Sequence, residues 1–306
     1  PYFSEHYGNP SSIHRIGQEV RKAIEDARDS VAGILGVEAS EVLFTSCATE
    51  ANNMAVRGIA RAYKHRGNHV ITTAIEHDSV LNTFKSLEKE GFDVTFLPVD
   101  KYGLVDTETL KNAIRPDTIL ISIMHANNEI GTIQPIEEFG AIAKEKKIFF
   151  HVDAVQSIGK IDVKPKKMNI DVMTISGHKF YGPKGIGAMY IRKGIKLDKI
   201  ITGGHQERAR RPGTENVPGI IGLAAALEKA TANMADEFVR EKELRDYMEE
   251  RIKSEIPVDE CIDAMREVGS GMPASLKETA MGGLAATPTG RRLKAQVFGA
   301  RETDEA

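Results

Sequence analysis

The chain has 306 residues, 41% hydrophobic and 28% charged, with a net charge of −3. That is an ordinary globular balance, long enough for one large domain with or without a small one. It offers no basic face for nucleic acid, and no apolar run approaches the ~20 residues that span a bilayer. The start, Pro1-Tyr2-Phe3-Ser4-Glu5, has no charged region followed by an apolar stretch, so no signal peptide is expected, and with no initiator Met the chain is expected to lack its natural beginning. Two isolated cysteines, Cys47 and Cys261, fit a reducing cytoplasm better than a disulfide framework.

In chain order, helical periodicity over Ile13–Leu35 precedes a strand at Val42–Ser46. A helix is expected over Ala51–Arg66, a strand over Val70–Ile75 and a helix over Ser79–Glu90. Then come a strand at Val94–Pro98, a helix at Thr107–Ile114, a strand at Ile119–Met124 and a helix at Ile136–Lys146. Strands at Ile148–Val152, Val172–Ile175 and Gly187–Ile191 follow. Asp106 and Pro135 sit where an N-cap and a first-turn proline belong. Continuous apolar runs such as Ile119-Leu120-Ile121-Ser122-Ile123 are the pattern of strands buried on both faces. The alternation predicts an α/β fold with a mostly parallel seven-stranded sheet over 1–217. Pro218–Ile256 reads as one long connecting helix. Residues 257–306 form a short segment of different texture, with Gly282-Gly283 and Thr287-Pro288-Thr289-Gly290; fifty residues are marginal for a core of their own.

The chemistry gathers at strand ends, where open α/β sheets bind ligands. Ser176-Gly177-His178-Lys179 follows one strand and leads into Gly182-Pro183-Lys184-Gly185-Ile186-Gly187. Taken alone, Lys179 is a surface lysine; in this company it reads as an imine-forming amine. Asp153 ends another strand, with Gln156 three residues on. A carboxylate there can pair with a protonated pyridine nitrogen and make the ring an electron sink, and Gln156 can donate to its phenolic oxygen; a plain N-cap is the simpler alternative for Asp153. Thr45–Glu50 joins a strand to a helix, where backbone N–H groups and a hydroxyl suit a phosphate as well as a capping box. Glu76-His77-Asp78 brings a histidine able to stack on a ring and move protons, or merely to cap a helix. Asn127-Asn128-Glu129-Ile130-Gly131 supplies polar groups or a plain turn. Gly203–Thr214, with His205, Arg208 and Arg211, suits an anion or a solvated loop. Five strand ends that each present a suitable group outweigh the separate bland readings.

Tyr7–Ser12, Thr45–Asn53, Glu76-His77, His125–Gly131, His151–Ser157, Ser176–Gly187 and Gly203–Val217 together resemble the cysteine desulfurases, the class V aminotransferase-like group of fold-type I pyridoxal-phosphate enzymes. The match runs in unbroken order over roughly the first 250 residues, and the Gln206–Val217 stretch is similar to the branch serving nitrogenase and general iron–sulfur assembly. The resemblance implies conversion of L-cysteine to L-alanine, with sulfur passed to an iron–sulfur scaffold or other acceptor protein. It implies that Lys179 holds the cofactor as a Schiff base and moves the substrate Cα proton. His77 would stack on the ring and share in proton transfer. Asp153 would meet the pyridine nitrogen, Gln156 the phenolic oxygen, and Asn128 would sit beside the ring. Ala48, Thr49, Ser176 and His178 would hold the phosphate. Thr214 would reach the phosphate of a second subunit, which implies a homodimer.

The family normally begins one strand earlier, with an Asp-Asn-Asn-Ala-Thr-Thr-like segment. It also continues past the long helix to a mobile loop that carries the sulfur-accepting cysteine, and to an arginine for the substrate carboxylate. Neither feature is found here. Cys261, in Val258–Met265, reads as the start of an amphipathic helix, and Cys47 occupies the phosphate loop, so neither is expected to be that nucleophile. Ile262–Gly269 and Ser275–Gly290 are similar to the end of the iron–sulfur L-serine dehydratase α chain. The resemblance therefore implies a fold-type I large domain with a truncated or replaced small C-terminal domain. Beside the desulfurase stand two alternatives: a catalytically incomplete pyridoxal-phosphate-binding fragment or pseudoenzyme, and a selenocysteine lyase or β-eliminating enzyme of the same fold.

Overall fold

A computed structural model describes residues 1–255. They fall into two units, Pro1–Pro98 with Val105–Met234, and Val99–Leu104 with the residues after Met234. The first unit carries seven strands: β1 (Val42–Thr45), β2 (His69–Thr73), β3 (Asp93–Leu97), β4 (Thr118–Ser122), β5 (Phe149–Asp153), β6 (Val172–Ser176) and β7 (Gly187–Ile191). Each lies within one or two residues of its expected place. Their order across the sheet is β1-β7-β6-β5-β4-β2-β3. Only β7 opposes its neighbours, pairing antiparallel with both β1 and β6, while the pairs among β2 to β6 are parallel. Two reversals cancel, so β1 points the same way as β6. The carboxyl ends of β1, β2, β4, β5 and β6 therefore share one edge of the sheet.

Helix α1 (Arg15–Leu35) buries Val20, Ile24, Ala27, Val31 and Leu35, a stripe spaced three and four residues apart. It stops at Gly36, whose left-handed backbone (φ 70°) lets Gly36 and Val37 return N–H bonds to the last turn. Helix α2 (Ala48–Ala62) begins three residues earlier than periodicity placed it, which puts Ala48 and Thr49 in its first turn. With α3 (Asp78–Lys89) it closes a core of Met54, Ile59, Val80, Phe84 and Leu87 over Val70 and Leu120 of the sheet. Asp106 caps α4 (Thr107–Ala113) by accepting from the Thr109 N–H at 2.8 Å. Pro135 occupies the N-cap of α5 (Ile136–Lys146), one place before the first-turn position expected for it. A single-turn segment, α6 (Gln206–Ala209), has left-handed backbone at Glu207 and Arg208. The buried Glu207 carboxylate is held there by Arg28 at 2.8 Å and by the Phe44 N–H at 2.9 Å.

The stretch expected as one helix over Pro218–Ile256 is two. Helix α7 (Val217–Ala232) starts at Asn216, whose side chain accepts from the Gly219 N–H, and stops at Asn233 (φ −101°, ψ 4°). Helix α8 (Met234–Glu255) then runs on, with pairs such as Lys242–Asp246 and Arg251–Glu255 along its exposed surface. Composition hides the break, because both halves are rich in good helix formers and an asparagine interrupts a helix only through its local backbone. The expectations for 257–306, Cys261 included, lie outside the described residues.

Candidate active site

The shared sheet edge collects most of the expected residues. Lys179 lies in a 3₁₀ turn, Gly177–Phe180, directly after β6. That turn is sealed by bonds from the Tyr181 and Gly182 N–H groups to the Gly177 carbonyl. Ser176 is buried at the strand end, and His178 is exposed, its Nδ1 3.4 Å from the Ser176 hydroxyl. The neighbouring Lys179 and Lys184 charges add to desolvation, the larger cause, in lowering the His178 pKa.

Asp153 is the last residue of β5 and is buried. Its Oδ1 accepts from the Val155 N–H at 3.0 Å and its Oδ2 from the Asn52 amide at 2.8 Å. Burial pushes the carboxyl pKa up, against these two bonds and the electrostatic influence of nearby His77 and Lys179. That electrostatic influence ties the three strand ends into one neighbourhood. Gln156 sits half-buried in the turn after β5.

His77 caps α3. Its Nδ1 accepts from the Ser79 N–H at 3.1 Å and lies 2.8 Å from the Ser79 hydroxyl. The neutral ring therefore carries its proton on Nε2. The Ser79 hydroxyl also accepts from the Asn52 amide at 2.9 Å, completing a chain Asp153–Asn52–Ser79–His77. Neither Asn52 nor Ser79 was among the site residues expected from sequence. Asn52 lies one turn into a helix and Ser79 in a first turn, positions where polar residues usually serve the helix itself.

Glu76, next to His77, was also overlooked as a group in its own right. Its Oε1 accepts from the Thr73 hydroxyl at 2.7 Å and the Met124 N–H at 2.8 Å, tying the end of β2 to the end of β4. Complete burial pushes its carboxyl pKa up to about 8. In the pair Asn127-Asn128, Asn127 makes the turn: its Oδ1 accepts from the Glu129 and Ile130 N–H groups and its amide donates to the Ile75 carbonyl. Asn128 is left exposed, bonded only to the adjacent Glu129 carboxylate at 3.2 Å among the described residues.

At the start of α2 the N-cap is Cys47, which makes no side-chain cap, so the first-turn N–H groups of Ala48 and Thr49 are left to another acceptor. Glu50 turns back to the Ser46 N–H at 2.7 Å and is paired with Arg211 at 2.8 Å. Burial raises its pKa, but the bonds from Arg211 and Ser46 outweigh this and hold it low. Its charge is thus neutralised beside the helix end. Gly187 lets this loop lie against β7: a Cβ there would meet the Cys47 carbonyl carbon and the Ile175 oxygen, both at 2.9 Å. Thr214 lies elsewhere, lining a cavity of 440 Å³ with Tyr7, Asn9 and Asn216.

These features fit the cofactor expected from sequence. A buried carboxylate that makes no salt bridge among the described residues suits a protonated ring nitrogen, and an uncapped helix start suits a phosphate. No cluster of metal-ligating side chains occurs among the described residues.

The architecture is that of fold-type I pyridoxal-phosphate enzymes. Residues 1–272 match the family described as aminotransferase class-V, and the chain belongs to that family. A cysteine desulfurase IscS from Methanosarcina thermophila is 57% identical over 248 residues, covering 81% of this chain and 61% of that protein. A solved NifS-like protein superposes with a TM-score of 0.77 at 46% identity, covering 81% of this chain and 70% of its own. A structure of SspA in complex with cysteine does so with a TM-score of 0.73 at 44% identity, covering 79% and 72%. The chain spans 61% to 65% of the length of the IscS relatives it matches. No described helix is long and apolar enough to cross a membrane.

Proposed function

We propose that this chain binds pyridoxal phosphate and serves as a cysteine desulfurase, converting L-cysteine to L-alanine and delivering the sulfur toward iron–sulfur cluster assembly. The observation that carries the reading is the buried Asp153 at the end of β5, one strand from the Lys179 turn and within electrostatic reach of both Lys179 and His77. The relatives support the substrate: several are named cysteine desulfurase, and one related structure holds cysteine.

In this reading Lys179 provides the amine that binds the cofactor and later the base that moves the substrate Cα proton. When bound, the cofactor supplies an electron sink for the Cα electrons. Asp153 holds the ring nitrogen, with Gln156 on the phenolic oxygen. The N–H groups of Ala48 and Thr49, with Ser176 and His178, hold the phosphate. His77 donates through Nε2, the nitrogen its helix cap leaves free. Asn128 lines the substrate side. Thr214 completes the phosphate site of a second copy in a homodimer. The sulfur atom passes to a thiolate of a partner protein, which becomes a persulfide as L-alanine is released, and the reducing cytoplasm suits the free Cys47 thiol.

The test is direct. The purified chain should take up pyridoxal phosphate with a visible absorption band that is lost in Lys179→Ala, and isotope-labelled L-cysteine, with dithiothreitol present to take the sulfur as a persulfide, should yield labelled L-alanine by mass spectrometry. Labelled pyruvate in its place would make the protein a β-eliminating enzyme, and an unchanged band in Lys179→Ala would remove the lysine from its role.

A further inference from the structure

We infer that Asn52, anchored by Ser79, is a positioning residue that fixes the Asp153 carboxylate for the ring nitrogen of the cofactor. The inference rests on the pyridoxal-phosphate reading and concerns residues of α2 and α3 rather than those at the strand ends.

Asn52 is wholly buried, and both N–H bonds of its amide are spoken for: one goes to Asp153 Oδ2 at 2.8 Å, the other to the Ser79 hydroxyl at 2.9 Å. Its carbonyl oxygen is buried with no hydrogen-bond partner among the described residues. Turning the amide over would aim its carbonyl at the Asp153 carboxylate and would draw the Ser79 proton away from His77. The orientation is therefore set by Asp153, and the stranded oxygen is a desolvation cost tolerated to keep it. With the Val155 N–H on Oδ1, the carboxylate has one donor on each oxygen, which fixes its rotation while leaving lone pairs for a cation.

Ser79 makes the arrangement more than a pairwise contact. Its hydroxyl accepts from Asn52, so its own proton is free for His77 Nδ1 at 2.8 Å. The residue under the ring nitrogen and the expected stacking residue are thus aligned by one amide and one hydroxyl. A neutral amide suits this place better than a second carboxylate, which would repel Asp153, or an aliphatic side chain, which would leave Oδ2 with no donor.

The experiment compares pyridoxal phosphate with its 1-deaza analogue, which has a carbon in place of the ring nitrogen. Dissociation constants are measured for the parent, Asn52→Ala and Ser79→Ala, with circular dichroism confirming the fold. Asn52→Ala should weaken pyridoxal phosphate about tenfold and the analogue less than about twofold, the loss of one charge-assisted hydrogen bond being felt only where Asp153 meets a cation. Ser79→Ala, which keeps the Asp153 bond but frees the other end of the amide, should show the same selectivity at about threefold. It carries the comparison alone if Asn52→Ala does not fold. Equal weakening of both ligands, or of neither, would overturn the positioning role and leave the cofactor reading intact. Failure of the parent to bind pyridoxal phosphate would overturn both.

Discussion

His77 caps α3 through Nδ1, which leaves Nε2 for the proton transfer proposed for it. The two can be separated. His77→Ala should cost about 1 kcal/mol of stability through the lost cap, while His77→Asn, a good N-cap, should recover most of it in urea denaturation. Neither variant should support the alanine formation proposed above, since neither side chain can shuttle a proton at neutral pH. If His77→Asn is as unstable as His77→Ala, the cap is not what the ring contributes. At this scale the strand-end groups were legible because a lysine, an aspartate and a histidine each lie at or within a few residues of the end of an apolar run. Asn52, Ser79 and Glu76 were not. Their roles depend on which strand ends become neighbours, and no spacing along the chain records that β2 lies beside β4 or that α2 passes over the end of β5.

At the scale of elements, close backbone approach decides which helices can sit where they do. Gly140 in α5 is buried, and a Cβ there would come within 2.0 Å of the Met168 carbonyl oxygen. Gly140→Ala should therefore displace α5 and destabilise the protein by about 1–3 kcal/mol, read as a lower urea midpoint. A midpoint equal to the parent's would mean the helix shifts without loss. The strands were well marked in the sequence because burial on both faces writes continuous apolar runs. Helix ends were less so. The α2 start was missed by three residues because Ala48, Thr49 and Glu50 carry no apolar periodicity, and only the first-turn geometry shows that they are helical. The Asn233 break was missed for the complementary reason: the residues on both sides favour helix, and one backbone angle set divides them.

Across the whole molecule, buried titratable groups set how stability follows pH. The folded-state pKa of Glu76, about 8, stands above its ordinary value of 4.5. Its contribution is therefore fully present below pH 4.5 and is lost as pH rises toward 8, at up to about 1.4 kcal/mol per pH unit. Stability should fall between pH 6.5 and 8, and Glu76→Gln should flatten that limb; an unchanged slope would mean the carboxyl is ionised in the fold. His125 and His151 act in the opposite sense. Burial lowers them from 6.5 to about 4 and about 3, so the stability they contribute is present above pH 6.5 and lost as pH falls toward those values. Below pH 4.5, where Glu76 no longer changes, acid should unfold the chain steeply in a circular-dichroism titration. The single reversed strand has a consequence for how the protein is made. Thr45 on β1 pairs with Gly187 on β7, and β1 has no other strand beside it among the described residues. On a ribosome, β1 waits on the order of ten seconds for its partner, far along the chain, to be synthesised. During that interval the run Val42-Leu43-Phe44, buried in the finished fold, has no strand to pair with and is the kind of apolar edge that invites aggregation.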